Sequence, residues 1–210
     1  MTAMTIEDVC RLAPVVPVLV IDDPEKAVPL AEALVAGGLR ALEITLRTPV
    51  ALEAIRRIAE AVPEAVVGVG TLMNAQDVTA SVEAGARFGV SPGLSARILD
   101  AADEAGLPIL PGVATPSEAM AAMERGLRIL KFFPAEANGG APVLEAWASP
   151  LASLQFCPTG GIDAGTAPDY LALPNVICVG GSWIAPKQAV AQGDWSAITR
   201  LAAAASALEA

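Results

Sequence analysis

The amino-acid sequence predicts a (β/α)8 barrel, known as a TIM barrel, with a short extra helix at its N-terminus. Three observations predict this fold. Short apolar runs alternate with helical segments about eight times, these runs are apolar on both faces, and the units recur roughly every 20–26 residues. The 210 residues, 54% hydrophobic and 17% charged, fit a single domain over positions 1–210. An open, doubly wound sheet is the alternative architecture.

The predicted strands and helices follow the N-terminal helix in regular order. Apolar runs predict strands at 14–21, 41–46, 66–71, 88–93, 108–113, 129–134, 154–161 and 176–182. Amphipathic segments predict helices at 23–36, 49–62, 74–84, 95–105, 116–125, 143–149, 166–173 and 195–208. The first of these helices has clear end signals, since Asp23 and Pro24 begin it and Gly37 and Gly38 end it.

Composition excludes several classes of function. A net charge of −10 argues against nucleic acid or an anionic membrane as a partner, because both require a basic surface. The absence of His excludes Ser-His and Cys-His nucleophile pairs and any His-ligated catalytic metal. Three cysteines without metal-type spacing are typical of a reducing cytoplasm, and no apolar run reaches the length of a membrane span. The N-terminus is not a signal peptide, and we expect a cytoplasmic protein.

One predicted strand carries a lysine inside an apolar run. Alternation along the strand places Lys131 and Phe133 on one face, with Leu130 and Phe132 on the other. Burial without a partner favours the neutral amine, which is a nucleophile toward carbonyl groups. The alternative is a strand-end lysine with a packed stem and a solvated head. The other two lysines lie in a predicted helix start (Lys26) and a predicted loop (Lys187).

Polar residues also stand at the carboxyl ends of other predicted strands, where active sites of such barrels lie. Glu43, Thr45 and Arg47 share one face of the second strand, and we expect this face to point into the barrel. A purely structural Glu–Arg pair is the alternative. Thr71 ends the third strand, where capping the next helix is an equally good reading, and Pro92 lies at the end of the fourth.

Two glycine pairs follow the seventh and eighth strands. Thr159 precedes Gly160 and Gly161, and Gly180 and Gly181 precede Ser182. Glycine lets backbone N–H groups approach a ligand closely, and the loops after these two strands are the usual phosphate site of this barrel. The pairs therefore predict a phosphate site held chiefly by backbone dipoles, although a Gly-Gly pair alone is also a common turn.

Six segments carry a resemblance to a known family. They are EITLRT (43–48), GVGT (68–71), SPG (91–93), KFFPAE (131–136), CPTGGI (157–162) and VGGSW (179–183). Together they resemble, in order and over nearly the whole chain, the 2-dehydro-3-deoxy-phosphogluconate aldolase family. The resemblance implies a class I aldolase of the Entner-Doudoroff pathway, trimeric and without metal or cofactor.

The resemblance also implies a role for each site residue. Lys131 would form the Schiff base and Glu43 would be the general acid/base. Arg47 and Thr71 would hold the carboxylate of the pyruvate half. Phe133 and Thr159 would line the cleft and Pro92 would form its wall. The phosphate would bind to four residues of the two glycine loops, namely Gly160, Gly161, Gly181 and Ser182.

The implied reaction cleaves 2-dehydro-3-deoxy-6-phosphogluconate to pyruvate and glyceraldehyde 3-phosphate. The same machinery would also suit 4-hydroxy-2-oxoglutarate or the galactonate-derived epimer, because the pyruvate half is shared. A non-catalytic barrel that binds phosphosugars, with Lys131 only packing, is the alternative from another class. The absence of His disfavours a metal-dependent aldolase.

Overall fold

The computed structural model describes residues 4–209, and eight parallel strands form its centre. They are β1 (Val15–Leu19), β2 (Ala41–Thr45), β3 (Val66–Gly70), β4 (Gly89–Ser91), β5 (Ile109–Val113), β6 (Ile129–Phe132), β7 (Gln155–Pro158) and β8 (Val179–Gly181). Neighbours in sequence are neighbours in the sheet, and β1 also pairs with β8. Bridges from Phe156 to Val176 and from Thr159 to Gly180 join β7 to the β8 segment. The predicted barrel is confirmed, and the open sheet is wrong.

Helices cover the barrel. They are α1 (Ile6–Cys10), α2 (Ala27–Ala36), α3 (Ala51–Ala61), α4 (Ala75–Glu83), α5 (Ala96–Ala105), α6 (Pro116–Glu124), α7 (Ala141–Trp147), α8 (Ala167–Leu171), α9 (Lys187–Gln192) and α10 (Trp195–Ser206), with single 3-10 turns at Pro24–Lys26 and Glu136–Asn138. The prediction that Lys187 lies in a loop is wrong, because it begins α9. A six-residue helix is shorter than two turns and leaves no periodicity to detect.

Local signals in the sequence explain where helices begin and end. Thr115 caps α6 by accepting a hydrogen bond from the N–H of Glu118, and the Glu118 carboxylate accepts one from the N–H of Thr115, which completes a capping box. The backbone N–H of Ala114 lowers the pKa of Glu118 further. Gly106 ends α5 in the left-handed region, with φ of 63°. These signals fix where the helices begin and end.

The strands separate two apolar layers. Leu42 and Ile44 of β2, with Leu130 and Phe132 of β6, belong to the large cluster between the strands and the helices. The alternate positions, such as Ile129, belong to a second cluster inside the barrel. This arrangement confirms the alternation that the sequence predicts, and it leaves the interior positions nearest the carboxyl ends of the strands free for polar residues.

The predicted extra helix α1 closes the amino-terminal end of the barrel. Its residues Val9 and Cys10 pack into the interior cluster, which also holds Cys157 and Cys178. Hydrogen bonding of the Cys178 thiol to Cys10 and then to Cys157, together with burial, raises the pKa of Cys178 well above its ordinary value. Cys178 therefore stays a thiol, and all three cysteines pack as small core side chains. No helix in residues 4–209 has the length and apolar character that a membrane crossing needs.

Candidate active site

A buried amine and a buried carboxylate meet inside the barrel. Lys131 extends from β6 and Glu43 from β2, and Lys131 Nζ lies 3.3 Å from Glu43 Oε1. The two residues are only 4% and 3% exposed. The ring of Phe133 lies beside the amine, with Nζ 5.2 Å from the ring centroid. A close carboxylate and an aromatic face compensate the amine for its loss of water.

Two glycines of β3 make room for this pair. A Cβ on Gly70 would overlap the carboxylate of Glu43, and a Cβ on Gly68 would overlap the ring of Phe88. Glu43 pairs in register with Gly68, and Thr45 with Gly70, so the space opens directly beside the carboxylate. Two features of the GVGT segment therefore matter to the site. Gly68 and Gly70 leave room because they have no side chain, and Thr71 supplies a hydroxyl.

A cavity of about 620 Å³ opens beside the pair at the carboxyl ends of β1, β7 and β8. Seven of the nine predicted binding residues line it: Arg47, Phe133, Thr159, Gly160, Gly161, Gly181 and Ser182. Lys131 and Glu43 are not part of its lining. Lys131 lies two positions before Phe133 on the same face of the chain, so the amine is deeper in the barrel than the cavity wall.

The loops after β6 and β7 are fixed to one another by their backbones. The N–H of Ala135 donates to the carbonyl of Thr159 at 2.8 Å, and the N–H of Glu136 donates to the carbonyl of Gly160 at 3.0 Å. Gly160 and Gly161 have φ of 105° and 85°, which a residue with a side chain rarely adopts. The first glycine pair thus faces the cavity from a loop held directly to the segment that follows Lys131.

The side chain of Glu136 supports the same loop from outside. It accepts a short hydrogen bond from the hydroxyl of Tyr170 on α8. Burial, followed by this hydrogen bond, raises the pKa of Tyr170 well above its ordinary value. A Cβ on Gly161 would overlap the Glu136 side chain, so the two loops are in close contact. The phenol therefore stays protonated and holds the loop at ordinary pH.

The two remaining predicted binding residues lie just outside the cavity lining. Thr71 has φ of 64°, and its hydroxyl accepts a hydrogen bond from Arg47 Nε at 3.3 Å. Pro92 follows β4, and its carbonyl is so close to Gly112 that a Cβ there would overlap it. Thr71 thus orients the guanidinium at the cavity edge, whereas Pro92 packs against the neighbouring strand β5.

Two lysines at the cavity are not predicted from the sequence as site residues. Lys26 and Lys187 both line it, together with Asp22 and Asp23. Neither lysine belongs to one of the six motif segments, and they are 161 positions apart. Only the pairing of β1 with β8 brings their segments together.

The arrangement has the parts needed for imine chemistry. A shielded amine can add to a carbonyl, a carboxylate 3.3 Å away can move protons, and a cationic guanidinium faces the cavity that opens beside them. Among residues 4–209, no group of three or more Cys, Asp and Glu side chains is placed to hold a metal ion.

Comparison with known proteins identifies the family. The family model for KDPG and KHG aldolases matches residues 6–201. The chain belongs to this aldolase family. KDPG denotes 2-dehydro-3-deoxy-6-phosphogluconate and KHG denotes 4-hydroxy-2-oxoglutarate. The match spans every strand of the barrel and all eleven of the predicted site residues.

Relatives in the KDPG and KHG aldolase family are similar over nearly their whole length. The KHG/KDPG aldolase of Escherichia coli K12 is 53% identical over 196 residues, which cover 93% of this chain and 92% of the relative. A structure of KDPG aldolase from Legionella pneumophila, with pyruvate captured at low pH as a covalent carbinolamine, has 45% identity and a TM-score of 0.95, covering 97% and 99% of the two chains. A Zymomonas mobilis ZM4 aldolase structure with 3-phosphoglycerate has 50% identity and a TM-score of 0.92, covering 99% and 98%.

Proposed function

We propose that this protein is a class I aldolase that cleaves 2-dehydro-3-deoxy-6-phosphogluconate to pyruvate and glyceraldehyde 3-phosphate. The observation that carries the proposal is the buried Lys131 amine, 3.3 Å from the Glu43 carboxylate and adjacent to a cavity of about 620 Å³. The carbinolamine captured in the Legionella pneumophila relative supports the same chemistry.

The mechanism uses one amine and one carboxylate. Glu43 takes a proton from the Lys131 ammonium, and the free amine adds to the 2-oxo group to give a carbinolamine. Glu43 returns that proton as the carbinolamine hydroxyl leaves as water, which gives a protonated imine and restores the carboxylate. Glu43 takes the proton of the C4 hydroxyl, the C3–C4 bond breaks, and its electrons pass into the imine to give an enamine. Glyceraldehyde 3-phosphate leaves as the aldehyde. Glu43 then returns a proton to C3 to give the protonated imine of pyruvate, and water hydrolyses this imine to release pyruvate and Lys131 as its ammonium.

Two groups of proposed binding residues hold the two ends of the substrate. Arg47, oriented by Thr71, would hold the carboxylate beside the imine. Gly160, Gly161, Gly181 and Ser182 would bind the phosphate through backbone N–H groups and a hydroxyl. Phe133 and Thr159 would line the cleft between them, and Pro92 would support its wall from β5.

We also propose activity on 4-hydroxy-2-oxoglutarate, because the Escherichia coli relative is named for both substrates. The shared pyruvate half uses Lys131, Glu43 and Arg47, and none of these contacts requires a phosphate. The galactonate-derived epimer would use the same half. A structure named native KDPGal is more distant, at 27% identity and a TM-score of 0.81, so the epimer is the weaker alternative.

The decisive experiment traps the imine. The protein is incubated with pyruvate and borohydride, its intact mass is measured, and the modified peptide is mapped. We expect a single reduced pyruvyl adduct on Lys131. Pyruvate that binds without forming an adduct would instead support a non-catalytic barrel that binds phosphosugars, with Lys131 serving only to pack the interior.

The organisation of the protein is part of the proposal. We infer one catalytic domain over 1–210 that acts in the cytoplasm as a homotrimer, without nucleic acid, membrane, metal or cofactor. One continuous strand order and two concentric apolar layers support the single domain. Sedimentation equilibrium tests the trimer, and a monomer mass would contradict it.

A further inference from the structure

All three lysines of the chain converge on one site. Lys131 lies buried beside the cavity, and Lys26 and Lys187 both line it. The remaining cations of this acidic chain are arginines, and Arg47 is the one arginine in the cavity lining. A protein with a net charge of −10 repels anions at a distance, so the placement of its few lysines decides where an anion is attracted.

The position of Lys26 is fixed by helix α9. Its Nζ donates a hydrogen bond of 2.8 Å to the carbonyl of Ala191, near the carboxyl end of α9. A cation is favourable there, because the last carbonyls of a helix lack partners. Lys187 begins the same helix, so one short element carries one lysine and anchors the other.

Lys187 differs from Lys26 in that, within residues 4–209, its ammonium has no hydrogen-bond or ion-pair partner. The side chain of Lys187 is exposed. It lies in the cavity lining with Ser182 and Gly181, five and six positions earlier in the chain. The ammonium is therefore available to an anionic group at the second glycine pair.

Acidic residues in the same cavity lining make these lysines more important. Asp22 and Asp23 also line the cavity. Asp23 accepts a hydrogen bond from the N–H of Glu25 and caps the turn that carries Lys26, so its carboxylate has a structural partner. Asp22 is exposed and would repel a phosphate dianion across the cavity.

We propose that Lys26 and Lys187 form a cationic rim that selects phosphorylated substrates, with Lys187 as the specificity-determining residue. The inference rests on the proposed aldolase function and adds side-chain charge to a phosphate site otherwise made of backbone N–H groups and one hydroxyl. The rim attracts the dianionic end of the substrate and leaves the pyruvate half to Arg47. The distal carboxylate of 4-hydroxy-2-oxoglutarate carries one charge on a shorter chain and gains less from the rim.

The test compares two substrates in charge variants at position 187. For Lys187→Gln we expect kcat/KM with 2-dehydro-3-deoxy-6-phosphogluconate to fall about 3- to 10-fold, since the lysine is exposed and screened. We expect kcat/KM with 4-hydroxy-2-oxoglutarate to fall less, because its distal carboxylate carries a single charge on a shorter chain than the phosphate does. Lys187→Arg keeps the charge and should keep the substrate ratio. The effect of Lys187→Gln should shrink as salt is added, because screening weakens the attraction.

Two further variants test whether the effect depends on the place of the lost charge and on its sign, and a third is less specific. Arg40→Gln removes the same charge just before β2, at the opposite end of the barrel, and should leave the substrate ratio unchanged. Asp22→Asn removes the opposing charge and should raise the ratio in favour of the phosphorylated substrate. Lys26→Gln is less specific, because it also releases the end of α9.

The outcomes separate this inference from the aldolase proposal. A pyruvate adduct on Lys131 in the wild-type protein establishes the chemistry independently of the rim. If that adduct forms and Lys187→Gln changes both substrates equally, or neither, the rim is overturned and the glycine loops bind phosphate alone. If no adduct forms on Lys131, the aldolase proposal itself is wrong. That result comes from the trapping experiment and does not depend on the ratio of kcat/KM values for the two substrates.

Discussion

Gly70 and Glu43 share a single space between β3 and β2. The carboxylate of Glu43 occupies the position where a side chain on residue 70 would begin, so any Cβ there would overlap Oε1 and Cγ of Glu43. Backbone, not a flexible side chain, therefore forms this side of the carboxylate. The absence of a side chain on Gly70 leaves the space in which the carboxylate lies 3.3 Å from Lys131 Nζ.

Gly70→Ala should displace the carboxylate from the amine and reduce turnover by about 10- to 100-fold, because small misplacements of catalytic groups have effects of this size. Lys131 keeps its own contacts on β6, so borohydride trapping of pyruvate should persist. Steady-state kinetics and intact-protein mass measure the two effects. Loss of trapping together with turnover would contradict a positioning role for Gly70.

The matched control for this variant is Gly106→Ala. Gly106 has a positive φ and open space around its Cα, and it ends α5 away from the cavity. The substitution strains the backbone and lowers stability by roughly 1 kcal/mol. Turnover by the folded protein should stay at the wild-type level, which separates general destabilisation from an effect on Glu43.

Lys131→Met should abolish both turnover and trapping, and it should also destabilise the protein. Glu43 would remain buried without its cationic partner, which typically costs about 3 kcal/mol or more. Adding Glu43→Gln to Lys131→Met removes the unpaired carboxylate and should restore part of the loss. Urea denaturation of the single and double variants measures this coupling.

The single Glu43→Gln variant separates imine formation from proton transfer. Pyruvate should still be trapped on Lys131, whereas turnover should fall by about 10²- to 10⁴-fold, the usual contribution of a general acid/base. Turnover equal to wild type would remove Glu43 from the mechanism and leave it a structural partner of the amine.

Thr71→Gly should weaken substrate binding without lowering stability. Thr71 has φ of 64°, a conformation that costs a residue with a side chain about 1–2 kcal/mol. Glycine relieves this strain, which offsets the roughly 0.4–1 kcal/mol lost through the more flexible unfolded chain. Arg47 loses its hydroxyl partner, so KM should rise. Thr71→Ser keeps the hydroxyl and should keep KM, and a lower Tm for Thr71→Gly would contradict the strain.

Stability should fall in acid because of Asp163, in the loop after the first glycine pair. Hydrogen bonds from the N–H groups of Thr166 and then Gly165 hold its pKa below the ordinary value of 3.8. The stabilisation is complete above that ordinary value and is lost as pH falls through the lower pKa of the folded state.

The measurement is Tm against pH for wild type and Asp163→Asn. The wild-type advantage should be largest at neutral pH and should shrink toward pH 3, since protonation removes the charge that the backbone stabilises. Gln76→Ala, on an exposed part of α4, removes no titratable group; it is the control and should show no such narrowing. A constant difference between wild type and Asp163→Asn would count against this role.

The parts of the site that local pattern determines could be predicted from the sequence. Alternation along β6 places Lys131 inside the barrel and Leu130 outside it, and the structure has this arrangement. Glu43 follows from the same rule on β2. Both strands have apolar residues on the helix side, so a one-residue shift in register would bury a charge among the helices, which is costly.

The parts that depend on closure of the barrel could not be predicted in this way. Lys26 reaches the carbonyl of Ala191 across 165 positions, and no periodicity links residues that far apart. The sequence does not distinguish Gly70 from any other glycine in a strand, because its importance lies in its tertiary contact with Glu43. Helix α9 has only six residues, which is too few to show helical periodicity, so the sequence pattern predicts a loop at Lys187.

The pairing of β1 with β8 has a consequence for synthesis of the protein. Pro17 of β1 pairs with Gly181 of β8, so the cavity lies where two segments 164 residues apart in the chain meet. A growing chain on the ribosome contains the nucleophile at position 131 some fifty residues before position 181, which lines the cavity. The amine at position 131 is therefore synthesised before the residues proposed to bind the phosphate at β8. The cavity that distinguishes substrates forms only when β1 pairs with β8 and closes the barrel.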